Sequence, residues 1–204
     1  KVFYGKVPLD EKVFYIDPQM KAKKQKNIFN VVYLGRIDNN PKRVFLFPKI
    51  VQKLVQMKIP VKMTLIGDGP SMLQLKQNIS QMQLEKYFDI KGKINHGIEL
   101  TNLINKADVA YILSSFEGIC MSALECIACG VPVIATDVGD IKEYVRNGEN
   151  GIIIPNTIDD EIINACVTST LKIYKYGCKL NDVYTNYSAE KMITELEEIF
   201  RRRI

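Results

Sequence analysis

The chain has 204 residues, 47% of them hydrophobic and 25% charged, and a formal net charge of +5. Those proportions are those of an ordinary soluble globular protein of one large domain or two small ones, and they exclude a disordered segment. No run approaches the roughly 20 uninterrupted apolar residues of a membrane-spanning helix. Five cysteines and a single histidine complete neither a disulfide framework nor a zinc-ligand pattern. Cys126 and Cys129 form a C-x-x-C without a second pair, and small buried fillers are the reading for all five.

Residues 1–27 carry no strand pattern. Tyr4 to Asp10 is turn-like, and the four lysines between Lys21 and Lys26 read as a solvated inter-domain connection. No aromatic residues interleave that run or the terminal Arg201-Arg202-Arg203, so neither reads as a nucleic-acid surface. Lys1 is not an initiator methionine and no signal-peptide pattern follows it. The chain therefore reads as a piece of a longer protein, with one domain over residues 28–204.

From Phe29 onward, apolar runs alternate with segments of helical period. Phe29 to Leu34 is a first strand, and Val44 to Met57 a helix with Pro48 inside it, which predicts either a kink or a helix that begins near Phe47. Val61 to Ile66 is a second strand, Ser71 to Gln83 a second helix, and Tyr87 to Ile90 a short third strand. Glu99 to Lys106 is helical, Val109 to Leu113 is the fourth strand, and Met121 to Cys129 the helix after it. A fifth strand, Val131 to Thr136, leads to a short helix near Lys142 to Val145 and a sixth strand, Gly151 to Ile154. Asp159 to Tyr174 and Ala189 to Arg202 close the domain as helices, the latter with Ser188 as N-cap and Lys191 in the capping-box position. Six parallel strands with helices on both faces make a doubly wound α/β sheet. Such sheets bind ligands beyond the carboxyl ends of their strands, where the strand order reverses.

Two glutamates eight positions apart, Glu117 and Glu125, follow the fourth strand. A strand, a turn containing Gly118 and a helix start form an anion-binding device, because the first helical turn offers free N–H groups and the positive dipole end. Carboxylates beside such a device repel phosphate and suit the neutral hydroxyls of a ribose or a sugar. On the loop after the first strand, Arg36 and Lys42 either neutralise a diphosphate or belong to a polar turn facing solvent. Gly67-Asp68-Gly69-Pro70-Ser71-Met72 has Met72 where the dinucleotide fingerprint needs its third glycine. A tight turn is favoured there, and a nicotinamide-dependent oxidoreductase is disfavoured. Lys91-Gly92-Lys93 borders either a flat ring or nothing, Gly139 serves either a ligand or a turn, and His96 reads as a loop residue. All of these fall at the carboxyl end of a predicted strand.

The ordered series Gly35-Arg36…Lys42, Gly67-Asp68-Gly69-Pro70, Gly92, Ala107-Asp108-Val109, Ser114-x-x-Glu117-Gly118, Glu125-x-x-x-x-Gly130-x-Pro132-Val133 and Asn150-Gly151 closely resembles one half of a known enzyme class. That half is the C-terminal, donor-binding part of the retaining glycosyltransferases with the GT-B fold, group 1 or family 4. The class includes bacterial sucrose-phosphate synthases and capsule and lipopolysaccharide glycosyltransferases. The resemblance covers about residues 28 to 200.

It implies a Rossmann-like domain that binds a nucleotide-sugar donor, with a UDP-sugar favoured. The reaction implied is configuration-retaining transfer of a hexosyl group to an acceptor hydroxyl, in cell-surface polysaccharide or glycolipid synthesis. By the same resemblance, Glu125 accepts hydrogen bonds from the ribose hydroxyls and Glu117 holds the donor sugar. Arg36 and Lys42 bind the diphosphate and stabilise the charge that grows on it as the glycosidic bond breaks. The backbone of Ile119, Cys120, Met121 and Ser122 supports the sugar and the distal phosphate, Gly35, Gly67 and Gly118 complete the donor site, and Lys93 borders the base through its main chain.

Two positions depart from the family pattern: Cys120 stands where glycine is frequent, and Lys42 comes one residue later after Arg36 than is usual. The resemblance implies no cofactor and no metal, because Arg36 and Lys42 replace it. It also implies an acceptor bound mainly by an N-terminal domain absent from this chain, and a cytoplasmic protein with peripheral association at the inner face of the membrane. The chain alone is expected to bind nucleotide weakly and transfer nothing. A nucleotide-sugar epimerase of the same fold and a non-catalytic nucleotide-sugar binding module are the alternatives.

Overall fold

In the computed structural model, residues 9–24 and 27–178 are described, together with residues 193, 194, 197, 198 and 201. Strands arise where apolar residues can face both sides of a sheet. Among the described residues there are six: β1 (Phe29–Leu34), β2 (Val61–Ile66), β3 (Phe88–Gly92), β4 (Val109–Ile112), β5 (Val133–Thr136) and β6 (Gly151–Ile154). Every pairing is parallel and the order is β3-β2-β1-β4-β5-β6. The order reverses between β1 and β4, where a crevice opens beyond the carboxyl ends of both strands.

Alternation along each strand builds two cores. Val31 and Tyr33 of β1, Val109 and Tyr111 of β4 and Ile134 of β5 face one side. There they pack against helices α2 (Leu46–Gln56), α3 (Met72–Gln81) and α7 (Asp159–Tyr176). Val32, Ala110, Ile112, Val133 and Ala135 face the other side. They pack against α4 (Ile98–Asn105), α5 (Met121–Ala128) and α6 (Ile141–Tyr144). Each fully buried aliphatic or aromatic side chain contributes about 1.5–3 kcal/mol relative to exposure. The buried Tyr111 hydroxyl is satisfied by Thr170 Oγ1 of α7 at 2.7 Å, so it adds no desolvation penalty.

The third strand begins later than its sequence suggests. Glu85–Tyr87 winds into a 3₁₀ turn and the strand runs from Phe88 to Gly92. Pro48 falls in the first turn of α2, where no intrahelical N–H bond is required, so the helix starts near it and does not kink. Residues 9–24, read from the sequence as connection, form a short helix α1 (Pro18–Ala22) capped by the Asp17 carboxylate. Two buried residues of α4 tie this segment down: Thr101 Oγ1 donates to the Val13 carbonyl at 2.7 Å, and Asn105 Oδ1 accepts from the Asp17 N–H at 2.8 Å. Lys21 Nζ donates to the Gly130 carbonyl at 2.9 Å and Lys24 pairs with Asp108 at 2.5 Å. That part of the lysine run is thus an anchor, unlike the solvated linker its composition suggested. The residues before Leu9, the Ser188 cap and most of the closing helix from Ala189 lie outside the described residues. Cys120, Cys126, Cys129 and Cys166 are buried free thiols, as filler residues should be.

Glycine sets how closely the strand-end loops approach. Gly67, after β2, has φ +136°, and a Cβ there would overlap the Gly35 carbonyl oxygen after β1. Gly139, after β5, has φ +50°, and a Cβ there would overlap the carbonyl oxygens of Glu117 and Gly118. Gly67→Ala is therefore expected to lower the unfolding free energy by about 3 kcal/mol in urea denaturation. Gly118→Ala, whose Cβ meets nothing within 4 Å, should change it by less than about 0.5 kcal/mol. Equal effects at the two positions would contradict this packing.

Candidate functional site

The switch point holds a cavity of about 320 Å³. Helix α5 supplies its floor: Met121, Ser122 and Glu125 line it from the first turns, Gly35 and Lys42 from the loop after β1, and Glu117, Ile119 and Cys120 from the loop after β4. Of the residues singled out from the sequence, these eight come together. Arg36, Gly67, Lys93 and Gly118 do not line the cavity.

Glu125 is 3% exposed. Among the described residues its carboxylate receives no hydrogen bond, and its one charged neighbour is His96, whose Nε2 lies 3.4 Å from Oε1. Burial raises its pKa, while the imidazole charge acts to lower it. A buried carboxylate without donors is costly, and this one opens onto a cavity from which donors can arrive. Around it, α5 presents its N-terminus with no side-chain cap, and the N–H groups of Met121 and Ser122 have no acceptor among the described residues. The Cys120 N–H is taken, donating to the Tyr144 hydroxyl at 2.9 Å. The Cys120 thiol is pushed up by burial and, second, by Glu117, so it remains neutral.

Glu117 and Lys42 face each other across the cavity mouth. Lys42 Nζ donates to Glu117 Oε1 at 2.5 Å, and the same oxygen accepts from Ser114 Oγ at 2.5 Å. Arg36 lies outside, its side chain 65% exposed and bonded to Asp38 through Nε at 3.0 Å and through Nη2. That guanidinium holds the Asp38 carboxyl below the usual carboxylate range. Gly67 donates its N–H to the Gly92 carbonyl at 2.7 Å, which ties the end of β2 to β3, while its missing Cβ admits the Gly35 carbonyl after β1. Lys93 is exposed on the loop that leads to His96.

Two residues of this region were not marked by sequence. Arg43, 17% exposed in its side chain, donates to Asn156 Oδ1 at 2.7 Å and to the carbonyls of Ser114 and Thr157 at 3.4 Å each. With the Ser115 N–H on the Pro41 carbonyl at 2.8 Å, it fastens the loop that carries Lys42 to the ends of β4 and β6. His96, read as a loop residue, lines the cavity beside Glu125. Neither role has a signal in local spacing, because each partner lies far along the chain. A larger cleft of about 750 Å³ lies at the amino ends of the strands. Two of its lining cations, Lys21 and Lys24, are already engaged by the Gly130 carbonyl and by Asp108. The switch-point cavity, with a helix N-terminus and an unsatisfied carboxylate, suits a ligand that joins an anion to neutral hydroxyls.

Fold and site together define a doubly wound α/β domain with its ligand edge at the switch point. Residues 16–190 match the family described as glycosyl transferases group 1, and the chain belongs to that family. It is 26% identical over 198 residues to N-acetyl-alpha-D-glucosaminyl L-malate synthase of Bacillus anthracis, covering 94% of this chain and 51% of that protein. It is 27% identical over 141 residues to UDP-Gal:alpha-D-GlcNAc-diphosphoundecaprenol alpha-1,3-galactosyltransferase of Escherichia coli, covering 67% of this chain and 35% of that protein. The chain thus spans about half, or less, of the length of these curated relatives. Its fold is that of HepE from Anabaena, solved with UDP, at 18% identity and TM-score 0.79, over 96% of this chain and 56% of that one. It is also that of the C-terminal domain of LpcC, a glycosyl transferase group 1 protein of Francisella tularensis, at 23% identity and TM-score 0.70, over 89% and 99%. Among the described residues, no helix is long and apolar enough to cross a membrane.

The raised pKa of Glu125 carries a stability prediction. An acid whose folded pKa exceeds its unfolded value destabilises the fold where it is ionised, and the penalty fades as pH falls through the folded value. Glu125→Gln should therefore melt higher than the parent at about pH 8, and its advantage should shrink on acidification. A lower melting temperature for the variant at every pH would show that the carboxylate has a donor in the empty protein.

Proposed function

We propose that this chain is the nucleotide-sugar donor domain of a configuration-retaining hexosyltransferase that acts in polysaccharide or glycolipid synthesis. The observation that carries the reading is the buried Glu125 carboxylate, which accepts no hydrogen bond among the described residues, at the foot of the same cavity that holds Lys42, Glu117 and the uncapped N-terminus of α5. In this reading the ribose hydroxyls donate to Glu125 and supply the hydrogen bonds it lacks. The diphosphate lies over the α5 N-terminus, between the N–H groups of Met121 and Ser122 and the cations Lys42 and Arg36. Lys93 borders the base through its main chain. The relatives solved with UDP or named for UDP-Gal favour a uridine donor.

Binding exchanges partners at the mouth. Lys42 and Glu117 neutralise each other at 2.5 Å. The incoming diphosphate takes Lys42, and the hexose hydroxyls take the released Glu117, so neither charge is left unpaired. As the glycosidic bond breaks, negative charge grows on the diphosphate. In this reading Lys42, with Arg36 turning in from the cavity's edge, and the helix N-terminus meet that charge, and so stabilise the transition state more than the ground state. We infer that these groups act without a metal and that the leaving phosphate oxygen helps remove the acceptor proton on the same face. We further infer that the acceptor is held mainly by another domain, as the greater length of the relatives allows, and that the whole protein works in the cytoplasm at the inner face of the membrane.

Calorimetric titration with UDP, GDP and ADP tests this. UDP should bind best, and Glu125→Ala and Lys42→Ala should each weaken UDP by about tenfold, or about 1.4 kcal/mol. Arg36→Ala should weaken it less, since its side chain is exposed and shared with Asp38. Variants that bind UDP as the parent does would overturn the assignment. Glu117→Gln should bind UDP at least as well as the parent, because Lys42 is freed, yet lose the parent's preference for UDP-glucose over UDP. An unchanged preference would remove Glu117 from the sugar site.

A further inference from the structure

Resting on the donor-domain reading, we propose that His96 is a positioning residue for Glu125, presenting the carboxylate to the ribose and setting the lower pH limit of nucleotide binding. Its Nε2 is 3.4 Å from Glu125 Oε1, and both line the cavity. The ring is held edge-on to Phe14, with centroids 5.7 Å apart and planes at 81°. Phe14 itself is buried in the core beneath α4. A side chain 72% exposed is thereby given one fixed neighbour on each side, an aromatic ring and a carboxylate.

Among the described residues, the other charged groups leave this pair to itself. Across the cavity Lys42 and Glu117 are paired with each other. Behind Glu125 on α5, the Cys126 and Cys129 thiols are pushed up by burial and carry no charge. Burial likewise keeps Cys120 and Tyr144 neutral. On the segment of His96, Lys93 and Glu99 are exposed. Burial drives Glu125 toward protonation, and a protonated carboxyl accepts fewer hydrogen bonds from hydroxyls. An imidazolium beside it opposes that.

The test is the pH profile of UDP binding by the full chain. The parent should lose affinity on acidification. In His96→Gln that loss should begin at higher pH, with UDP about fivefold weaker than the parent near pH 5.5 and within about twofold near pH 8. His96→Arg, which keeps a cation there, should restore the parent profile, and Glu125→Gln should flatten it. Because His96 is the only histidine, the histidine Cε1–H NMR signal reports on it alone and should move in Glu125→Gln without nucleotide. If the parent binds UDP and the His96→Gln profile coincides with it, the role of His96 is overturned and the donor reading stands. If the parent binds no UDP at any pH, the donor reading fails and this inference fails with it.

Discussion

No side chain fits between the loops that leave β1 and β2, or between those that leave β4 and β5. Gly67 lies against the Gly35 carbonyl and Gly139 against those of Glu117 and Gly118, and the cavity depends on both approaches. Bringing the β1 loop inward places Lys42 opposite Glu117. Packing the β5 turn under residues 117–118 fixes the chain just before α5, so that its first turn and Glu125 point into the space between. Arg43 completes the frame from the far side by joining the β1 loop to residues that follow β4 and β6.

Inside that frame the charges are arranged in two ways. Lys42 and Glu117 satisfy each other and Ser114 adds a hydrogen bond, so the mouth of the cavity is close to neutral. Glu125, less exposed, accepts no hydrogen bond among the described residues and has His96 Nε2 near it at 3.4 Å. Stability alone would not retain such a group, since a neutral isostere would avoid the desolvation cost. Binding sites commonly hold groups whose cost in the free protein is offset only when the ligand arrives. The two arrangements divide the labour: the paired charges respond to an anion by exchanging partners, while the lone carboxylate responds to hydroxyls.

Much of this was legible in the sequence. Apolar runs alternating with segments of helical period announced a parallel sheet, and such sheets take ligands beyond the carboxyl ends of their strands, which drew attention to the loops there. Glu117, Glu125 and Lys42 were recognisable from their order along the chain. Other features were settled by contacts between distant segments. Helix α1 begins at Pro18 behind the Asp17 cap, a start signal present in the local sequence, but Asn105 of α4, which holds the segment, lies 88 positions away and has no local signal. Glu85–Tyr87 carries strand-like Tyr87 but winds into a 3₁₀ turn before β3. His96 and Arg43 read as loop residues because their partners, Glu125 and Asn156, come from other loops and helices. Arg36 shows the converse: its place in the motif marked it, but in the empty site it faces solvent and holds Asp38.

A crystal structure of this chain with UDP tests the central claim most directly. The account predicts both ribose hydroxyls within hydrogen-bond distance of the Glu125 carboxylate, the diphosphate over the N–H groups of Met121 and Ser122, and Lys42 moved from Glu117 to a phosphate oxygen. UDP seated in the cleft at the amino ends of the strands, or at the switch point with Glu125 untouched and the Lys42–Glu117 pair intact, would contradict it.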